Sequence, residues 1–82
     1  MKVCVVGLGY IGLPTASVLA NSGHQVIGVD VSRRIVDLIN KGQIHIEEKG
    51  LKTLFGAAVN SGNLTAQLKP TKADAFILAV PT

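Results

Sequence analysis

The chain has 82 residues and a formal net charge of +3, a length that accommodates no more than one domain. It is 48% hydrophobic and only 16% charged, a balance that predicts a packed core and excludes an intrinsically disordered chain. The basic residues are scattered apart from the pair Arg33 and Arg34, and no aromatic residues alternate with them, so nucleic-acid binding is not expected.

The N-terminal residues carry information about the compartment. Cys4 is the single cysteine, which excludes a disulfide within the chain and is typical of a reducing environment. The apolar run before Gly7 is too short for a signal peptide or a membrane span. We therefore expect Cys4 to be a buried apolar side chain and the protein to be cytoplasmic.

Strand and helix patterns alternate through the first half of the chain. A β-branched apolar run predicts a buried strand over 2–6, and helical spacing of apolar residues predicts a helix over 10–21 that ends at Gly23 as its C-cap. The apolar positions of that helix are Ile11, Ala16, Val18 and Leu19. A second strand is predicted over 25–29 and a second helix over 33–41, with Ser32 as its N-cap.

The second half of the chain completes the pattern. Alternating apolar and polar residues over 43–49 predict either a short strand or an extended loop, and helical spacing returns over 50–61. A short strand is predicted over 63–67 and a further buried strand over 75–82 (AFILAVPT). The resulting order predicts an α/β fold, a Rossmann-like parallel sheet with crossover helices.

A glycine-rich turn lies between the first strand and the first helix. Residues 7–12 (GLGYIG) match the pattern G-x-G-x-x-G in the strand–turn–helix context that dinucleotide binding requires. Gly7 would permit the tight turn, Gly9 would let the backbone approach a pyrophosphate, and Gly12 would let the helix pack closely on the sheet. The N–H groups of the first helical turn would then face the phosphates. The alternative is a turn that binds nothing.

An acidic residue stands where the motif expects one. Asp30 follows the second strand, 18 positions after Gly12, and a carboxylate there accepts hydrogen bonds from the ribose hydroxyls and repels a 2′-phosphate. This favours NAD over NADP as the cofactor. Asp30 could instead be an acidic residue at a helix N-terminus. Arg33 or Arg34 could flank the ribose, accommodate a 2′-phosphate or lie in solvent.

Four segments together resemble one enzyme family. They are VVGLGYIGLPTA, GVD, IHIEEKGL and the closing AVPT, and they resemble the N-terminal NAD-binding segment of the UDP-glucose/GDP-mannose dehydrogenase family. Within that family the resemblance is greatest to the members that act on UDP-N-acetyl-D-mannosamine. It spans essentially the whole chain, although Lys49 stands where the family usually has proline.

The resemblance implies an activity and a domain plan. Members of the family oxidise the C6 alcohol of a UDP-sugar to a carboxylate in two NAD-dependent steps, through a cysteine thiohemiacetal and thioester, in nucleotide-sugar metabolism and polysaccharide biosynthesis. Their N-terminal Rossmann domain holds NAD, a helical central domain mediates dimerisation, and a C-terminal domain holds the UDP-sugar. By this resemblance, residues 1–82 are a partial NAD-binding domain from a longer, homo-oligomeric dehydrogenase.

The resemblance also implies residue roles. Tyr10 and Ile11 would offer backbone N–H groups to the pyrophosphate, Asp30 would hold the adenosine ribose with Arg34 beside it, and residues 80–82 would lie near the nicotinamide half. The expected cofactor-binding residues are Gly7, Gly9, Tyr10, Ile11, Gly12, Asp30, Arg34, Val80, Pro81 and Thr82.

No catalytic or metal-binding residue is expected within this chain. The family's catalytic cysteine, lysine and asparagine lie beyond residue 82, and Cys4 belongs to the first strand, where a buried thiol is not activated. His24 and His45 have no carboxylate or cysteine partner at the spacing of metal ligands, and His24 is expected in a turn.

Two alternative assignments share the glycine turn. The regulatory nucleotide-sensing domains of potassium transporters and channels bind the dinucleotide without chemistry, and dehydrogenases of the 3-hydroxyacyl-CoA or 6-phosphogluconate type share the fold. Pro14 and the closing VPT fit the nucleotide-sugar dehydrogenases better than either alternative.

Overall fold

The computed structural model describes residues 1–80, and their helices and strands follow the predicted order. The strands are β1 (Lys2–Val6), β2 (Gln25–Val29), β3 (Leu64–Gln67) and β4 (Ala75–Leu78). The helices are α1 (Gly12–Asn21), α2 (Arg33–Asn40) and α3 (Leu51–Asn60). None of these helices is long and apolar enough to cross a membrane.

The strands form one parallel sheet in the order β3-β2-β1-β4. β1 lies in the interior of the sheet, where Val5 stands opposite Gly28 of β2 on one side and Ile77 of β4 on the other. Because all strands run in one direction, their carboxyl ends meet at one edge of the sheet. The predicted α/β, Rossmann-like fold is confirmed, although residues 68–74 join β3 to β4 without a crossover helix.

All three helices contribute to the core on one face of the sheet. Val3 and Val5 of β1 belong to the same buried cluster as helix residues such as Ala16 and Phe55. The buried members of this core are Val3, Val5, Leu8, Leu13, Ala16, Ala20, Val26, Val36, Ile39, Leu51, Phe55, Ala58, Leu64 and Ala66. Aliphatic side chains dominate, as the low aromatic content of the sequence requires.

The opposite face of the sheet is covered only in part. Cys4, as predicted, is buried there with Ile27 and Val29. Phe76 and Leu78 lie beside Cys4 and Val6 in the register of the sheet, yet they are 49% and 74% exposed. The prediction of a buried strand over 75–82 is therefore wrong in burial and in its end at Leu78, because no helix of residues 1–80 covers this face beside β4. Pro81 and Thr82 lie outside the described residues.

Helix α1 differs from its prediction in start and orientation. It begins at Gly12 rather than at residue 10, with Ile11 as its N-cap. The buried residues Leu13, Ala16, Ser17 and Ala20 follow the spacing of one helix face, whereas Ile11 and Val18 are exposed. The predicted apolar face was therefore wrong at those two positions, because small residues form the side that packs closely on the sheet.

The remaining local predictions are largely confirmed. Ser32 caps α2 by accepting a hydrogen bond from the N–H of Ile35 at 3.3 Å. The prediction of Gly23 as the C-cap of α1 is wrong by one position, because Ser22 is the C-cap and Gly23 follows it with φ +96°, the left-handed conformation that ends many helices. Residues 43–49 form a loop rather than a strand. Ile44 and Ile46 of this loop pack against the core, which accounts for their alternation with polar residues.

Candidate functional site

An open cleft of about 700 Å³ lies at the carboxyl ends of β1, β2 and β4. Its walls are residues 6–11, residues 29–31 and residues 78–80. Ligands of open parallel sheets bind outside the carboxyl ends of the strands. Of the sequence-predicted residues, this cleft brings together Gly7, Gly9, Tyr10, Ile11, Asp30 and Val80.

The three glycines of the turn have different surroundings. Gly7 has φ +98°, and a Cβ atom there would lie 2.8 Å from the carbonyl oxygen of Ala79. A Cβ atom at Gly12 would overlap the carbonyl group of Gly7. A Cβ atom at Gly9 would meet no protein atom within 4 Å, although Gly9 lines the cleft. Packing therefore requires Gly7 and Gly12, whereas Gly9 leaves open space for a ligand.

The N-terminus of α1 is free to bind an anion. Its N-cap, Ile11, has no side chain that can accept a hydrogen bond, and the first turn contains no acidic residue. The N–H of Leu13 donates to the carbonyl of Gly9 at 3.0 Å, but within residues 1–80 the N–H groups of Tyr10 and Ile11 have no recorded acceptor. Unsatisfied N–H groups at a positive helix end favour phosphate groups.

The carboxylate of Asp30 connects the end of β2 to the glycine turn. Its Oδ2 accepts a hydrogen bond from the N–H of Leu8 at 3.1 Å, and its Oδ1 accepts one from the N–H of Ser32 at 3.0 Å. Each carboxylate oxygen has two acceptor positions, so Asp30 retains capacity for the hydroxyls of a ribose. The residue thus organises the protein backbone and borders the cleft at the same time.

Exposed apolar side chains are concentrated around the cleft. Tyr10 is 65% exposed, Ile11 is 72% exposed and Val31 is 95% exposed, and Leu78 and Val80 are exposed as well. Small-molecule sites combine mostly apolar walls with a few placed polar groups. The free N–H groups, the open space at Gly9, the Asp30 carboxylate and these apolar walls together fit a dinucleotide.

Four predicted residues are not placed in this cleft. Gly12 is buried at the start of α1, packed against the backbone of Gly7, and does not line the cleft. Arg34 lines a different cleft, beside α2, so its expected position next to Asp30 stays a prediction. Pro81 and Thr82 lie outside the described residues.

The cleft beside α2 has a volume of about 740 Å³ and is bordered by the loop 42–48 and by α3. Arg34, Glu47, Glu48 and Lys52 supply charges of both signs to its walls. Both ring nitrogens of His45 are buried there, with no hydrogen-bond partner within residues 1–80.

Sequence reasoning missed Val31 and Leu8, which line the first cleft, and Gly28, which leaves room for the Leu8 side chain. Val31 was not singled out because one apolar residue in a loop carries no pattern. Leu8 occupies a variable position of the glycine motif, yet its side chain is completely buried. Gly28 did give a signal, because a glycine inside a strand often marks a close approach between two parts of a chain.

Comparison with known proteins agrees with this geometry. The family model for the NAD binding domain of the UDP-glucose/GDP-mannose dehydrogenase family matches residues 1–82. The chain belongs to the UDP-glucose/GDP-mannose dehydrogenase family. Its cofactor is therefore NAD, as Asp30 predicts.

Individual members of the dehydrogenase family resemble the chain closely. A UDP-N-acetyl-D-mannosamine dehydrogenase from Methanococcus vannielii is 60% identical over 81 residues, which are 99% of this chain and 19% of the relative. An NDP-N-acetyl-D-galactosaminuronic acid dehydrogenase from Ralstonia nicotianae is 58% identical over 80 residues, 98% of this chain and 19% of the relative. The chain thus spans about a fifth of the length of these relatives.

Solved structures of the family share the fold. The native UDP-N-acetyl-mannosamine dehydrogenase of Staphylococcus aureus has a TM-score of 0.95 at 46% identity over 99% of this chain and 20% of its own. A GDP-mannose dehydrogenase from Pseudomonas aeruginosa, solved as a ternary complex, has a TM-score of 0.92 at 37% identity over 100% of this chain and 20% of its own. Nothing in these matches supports the alternative of a potassium-transporter regulator.

Proposed function

We propose that this chain is the NAD-binding part of a longer, homo-oligomeric dehydrogenase that oxidises the C6 alcohol of a UDP-sugar to a uronic acid. The sugar is of the UDP-N-acetylmannosamine or UDP-glucose type, and the setting is cytoplasmic polysaccharide biosynthesis. The observation that carries the proposal is the family match over residues 1–82, which coincides with a cleft whose polar groups suit a dinucleotide.

Each part of the cofactor has a counterpart in the cleft. The N–H groups of Tyr10 and Ile11, which have no recorded acceptor within residues 1–80, would bind the pyrophosphate over Gly9. The remaining acceptor positions of Asp30 would bind the adenosine ribose. Val31 would pack against the adenosine half.

The residues after β4 and at the start of α2 are proposed to contact two further parts of the cofactor. Val80 borders the cleft on the side of β4, and we assign it, with Pro81 and Thr82, to the nicotinamide half of the cofactor. Arg34 would reach the ribose from the first turn of α2, where its side chain is exposed.

The chain contributes binding and orientation rather than bond-making groups. When bound, NAD would supply the hydride acceptor for oxidation of an alcohol carbon. The cleft would hold the pyrophosphate and ribose on rigid elements of the sheet and so fix where the reactive end of the cofactor lies. We assign no catalytic residue to residues 1–80, since Cys4 is buried in the sheet.

NAD titration of the chain by NMR, with NADP as the comparison, tests the cofactor site. We expect shifts at the amides of Gly9, Tyr10 and Ile11, and weaker binding of NADP because Asp30 repels the 2′-phosphate. Gly9→Ala is the decisive variant. Its new methyl group meets no protein atom within 4 Å, and Gly9 is not in the left-handed conformation. The variant should therefore fold normally and bind NAD at least about tenfold more weakly, because the methyl group occupies the space of the pyrophosphate.

Gly56→Ala is the matched control for this experiment. A Cβ atom at Gly56 also meets no atom within 4 Å, and Gly56 lies in α3, away from the cleft that holds Asp30. NAD should bind this variant as it binds the unaltered chain. Equal NAD affinity of both variants would refute the assignment of the glycine turn to the pyrophosphate.

A second experiment tests the chemistry. In the longer protein we expect NADH to form when UDP-N-acetyl-D-mannosamine or UDP-glucose is added, with two NADH per sugar oxidised to the acid. Release of one NADH per sugar, with an aldehyde as the product, would contradict the proposed reaction.

A further inference from the structure

Leu8 is the residue through which the glycine turn enters the hydrophobic core. Its side chain is completely buried, whereas Tyr10 and Ile11 of the same turn are largely exposed. It packs among the residues between the sheet and the helices. One side chain of an otherwise open turn is therefore fixed in the interior of the protein.

Gly28 of β2 makes the room for this side chain. A Cβ atom at Gly28 would lie 2.8 Å from Cδ2 and 2.9 Å from Cδ1 of Leu8. Gly28 is not in the left-handed conformation, and glycine weakens the interior of a strand. The backbone of β2 thus has no conformational need for glycine here, and the contact with Leu8 accounts for it.

The backbone of the turn is fastened to the same strand. The N–H of Gly7 donates to the carbonyl of Val29 at 2.7 Å, and the N–H of Leu8 donates to Oδ2 of Asp30 at 3.1 Å. Residues 7 and 8 thus contact three successive residues at the end of β2, which are Gly28, Val29 and Asp30. The residues that follow, Gly9 to Ile11, extend from this fixed base into the cleft.

We propose that Leu8 and Gly28 are positioning residues for the nucleotide. Their contact holds the glycine turn in its binding conformation before the ligand arrives, so that binding does not have to order the turn. The proposal rests on the proposed function, which places NAD in this cleft. It adds residues whose side chains act through the shape of the turn rather than through contact with the nucleotide.

The variant Gly28→Ala tests the proposal. Its methyl group would displace the buried Leu8 side chain and, with it, the turn. We expect faster hydrogen exchange, in the absence of nucleotide, at the amides of Gly7 and Leu8, whose hydrogen bonds to Val29 and Asp30 fasten the turn. We also expect NAD binding to weaken by about tenfold. Leu8→Val in the Gly28→Ala background removes the two Cδ atoms that collide with the new methyl group, so it should restore both the exchange rates and the NAD affinity.

Val36→Ala is the control for general loss of stability. Val36 is a buried core residue of α2 outside the cleft, so this variant should unfold more easily without changing NAD affinity in the folded chain. Unchanged exchange and affinity in Gly28→Ala, or no restoration by Leu8→Val, would overturn the positioning role. Failure of the longer, unaltered protein to bind NAD would instead contradict the proposed function, so the two failures are distinguishable.

Discussion

The side-chain amide of Asn40 pairs with the backbone of Ala66 at the free edge of β3. Its Nδ2 donates to the Ala66 carbonyl at 2.9 Å, and its Oδ1 accepts from the Ala66 N–H at 2.9 Å. β3 has a strand neighbour, β2, on one side only, so these backbone groups would otherwise lack a partner in the sheet. The last residue of α2 thus takes the place of a neighbouring strand.

This pairing makes Asn40→Asp destabilising. A carboxylate oxygen in place of Nδ2 would face the Ala66 carbonyl without a proton to share, so we expect the free energy of unfolding to fall by about 1–3 kcal/mol. Urea denaturation measures the change. Asn60→Asp is the matched control, because Asn60 is the last residue of α3 and the new charge meets a similar helix end. A loss no larger than that of Asn60→Asp would show that the pairing contributes nothing.

The glycines of the turn should separate into two classes. Gly7→Ala and Gly12→Ala place a methyl group against backbone atoms, and we expect each to lower the free energy of unfolding by about 2 kcal/mol or more. Gly9→Ala, with open space around its new methyl group, should change it by less than about 1 kcal/mol. Thermal unfolding of the three variants without nucleotide checks this order. Similar losses in all three would contradict the distinction between structural and ligand-facing glycines.

Val31 offers a test of the apolar wall. Because it is 95% exposed, Val31→Ser should change the free energy of unfolding by no more than about 0.5 kcal/mol. The loss of apolar contact with the cofactor should weaken NAD binding by about 1 kcal/mol, roughly fivefold. Calorimetric titration measures the affinity. Val18→Ser, at an exposed position of α1 that does not line the cleft, should bind NAD normally.

Asp30 should stabilise the folded chain even in the absence of the cofactor. In Asp30→Asn an NH2 group replaces one of the two accepting oxygens, so it would face the N–H of either Leu8 or Ser32, and two donors cannot bond to each other. We expect a loss of about 1–2 kcal/mol in the free energy of unfolding without nucleotide. Asp37→Asn, at an exposed position of α2, should be nearly neutral in the same urea titration. A neutral Asp30→Asn would show that the two bonds do not organise the turn.

The sequence predicted the structure correctly where interactions between residues close in the chain decide it. The glycine turn, the cap at Ser32 and the order of strands and helices follow from short-range patterns. The burial of Phe76 and Leu78 could not be predicted from their apolar character, because burial depends on what covers that face of the sheet. In α1, the apolar side chains of Ile11 and Val18 indicated the wrong face, since close packing on the sheet favours small residues such as Ala16 and Ser17.

The spacing of Asp30, Gly7 and Gly9 follows a motif with a known physical basis, and these three residues line one cleft in the structure. Their contact with the cofactor stays a prediction. The second role of Asp30, as an acceptor for the Leu8 N–H, could not be predicted, because it depends on the distance between two elements in space. The same reason applies to Asn40 and Ala66, which are 26 positions apart in the sequence.

The interior position of β1 has a consequence for how the molecule assembles during synthesis. β1 leaves the ribosome before the other three strands, but its neighbour β4 follows late, as the bond between the Lys2 N–H and Asp74 across 72 positions illustrates. Contacts between such distant segments form slowly, and an apolar strand with an open edge is prone to aggregate in the meantime. Ala79, against which Gly7 packs, is translated later still. The cleft is therefore complete only after β4 and Ala79 have been translated, and a pause in translation before β4 leaves one edge of β1 without a neighbouring strand.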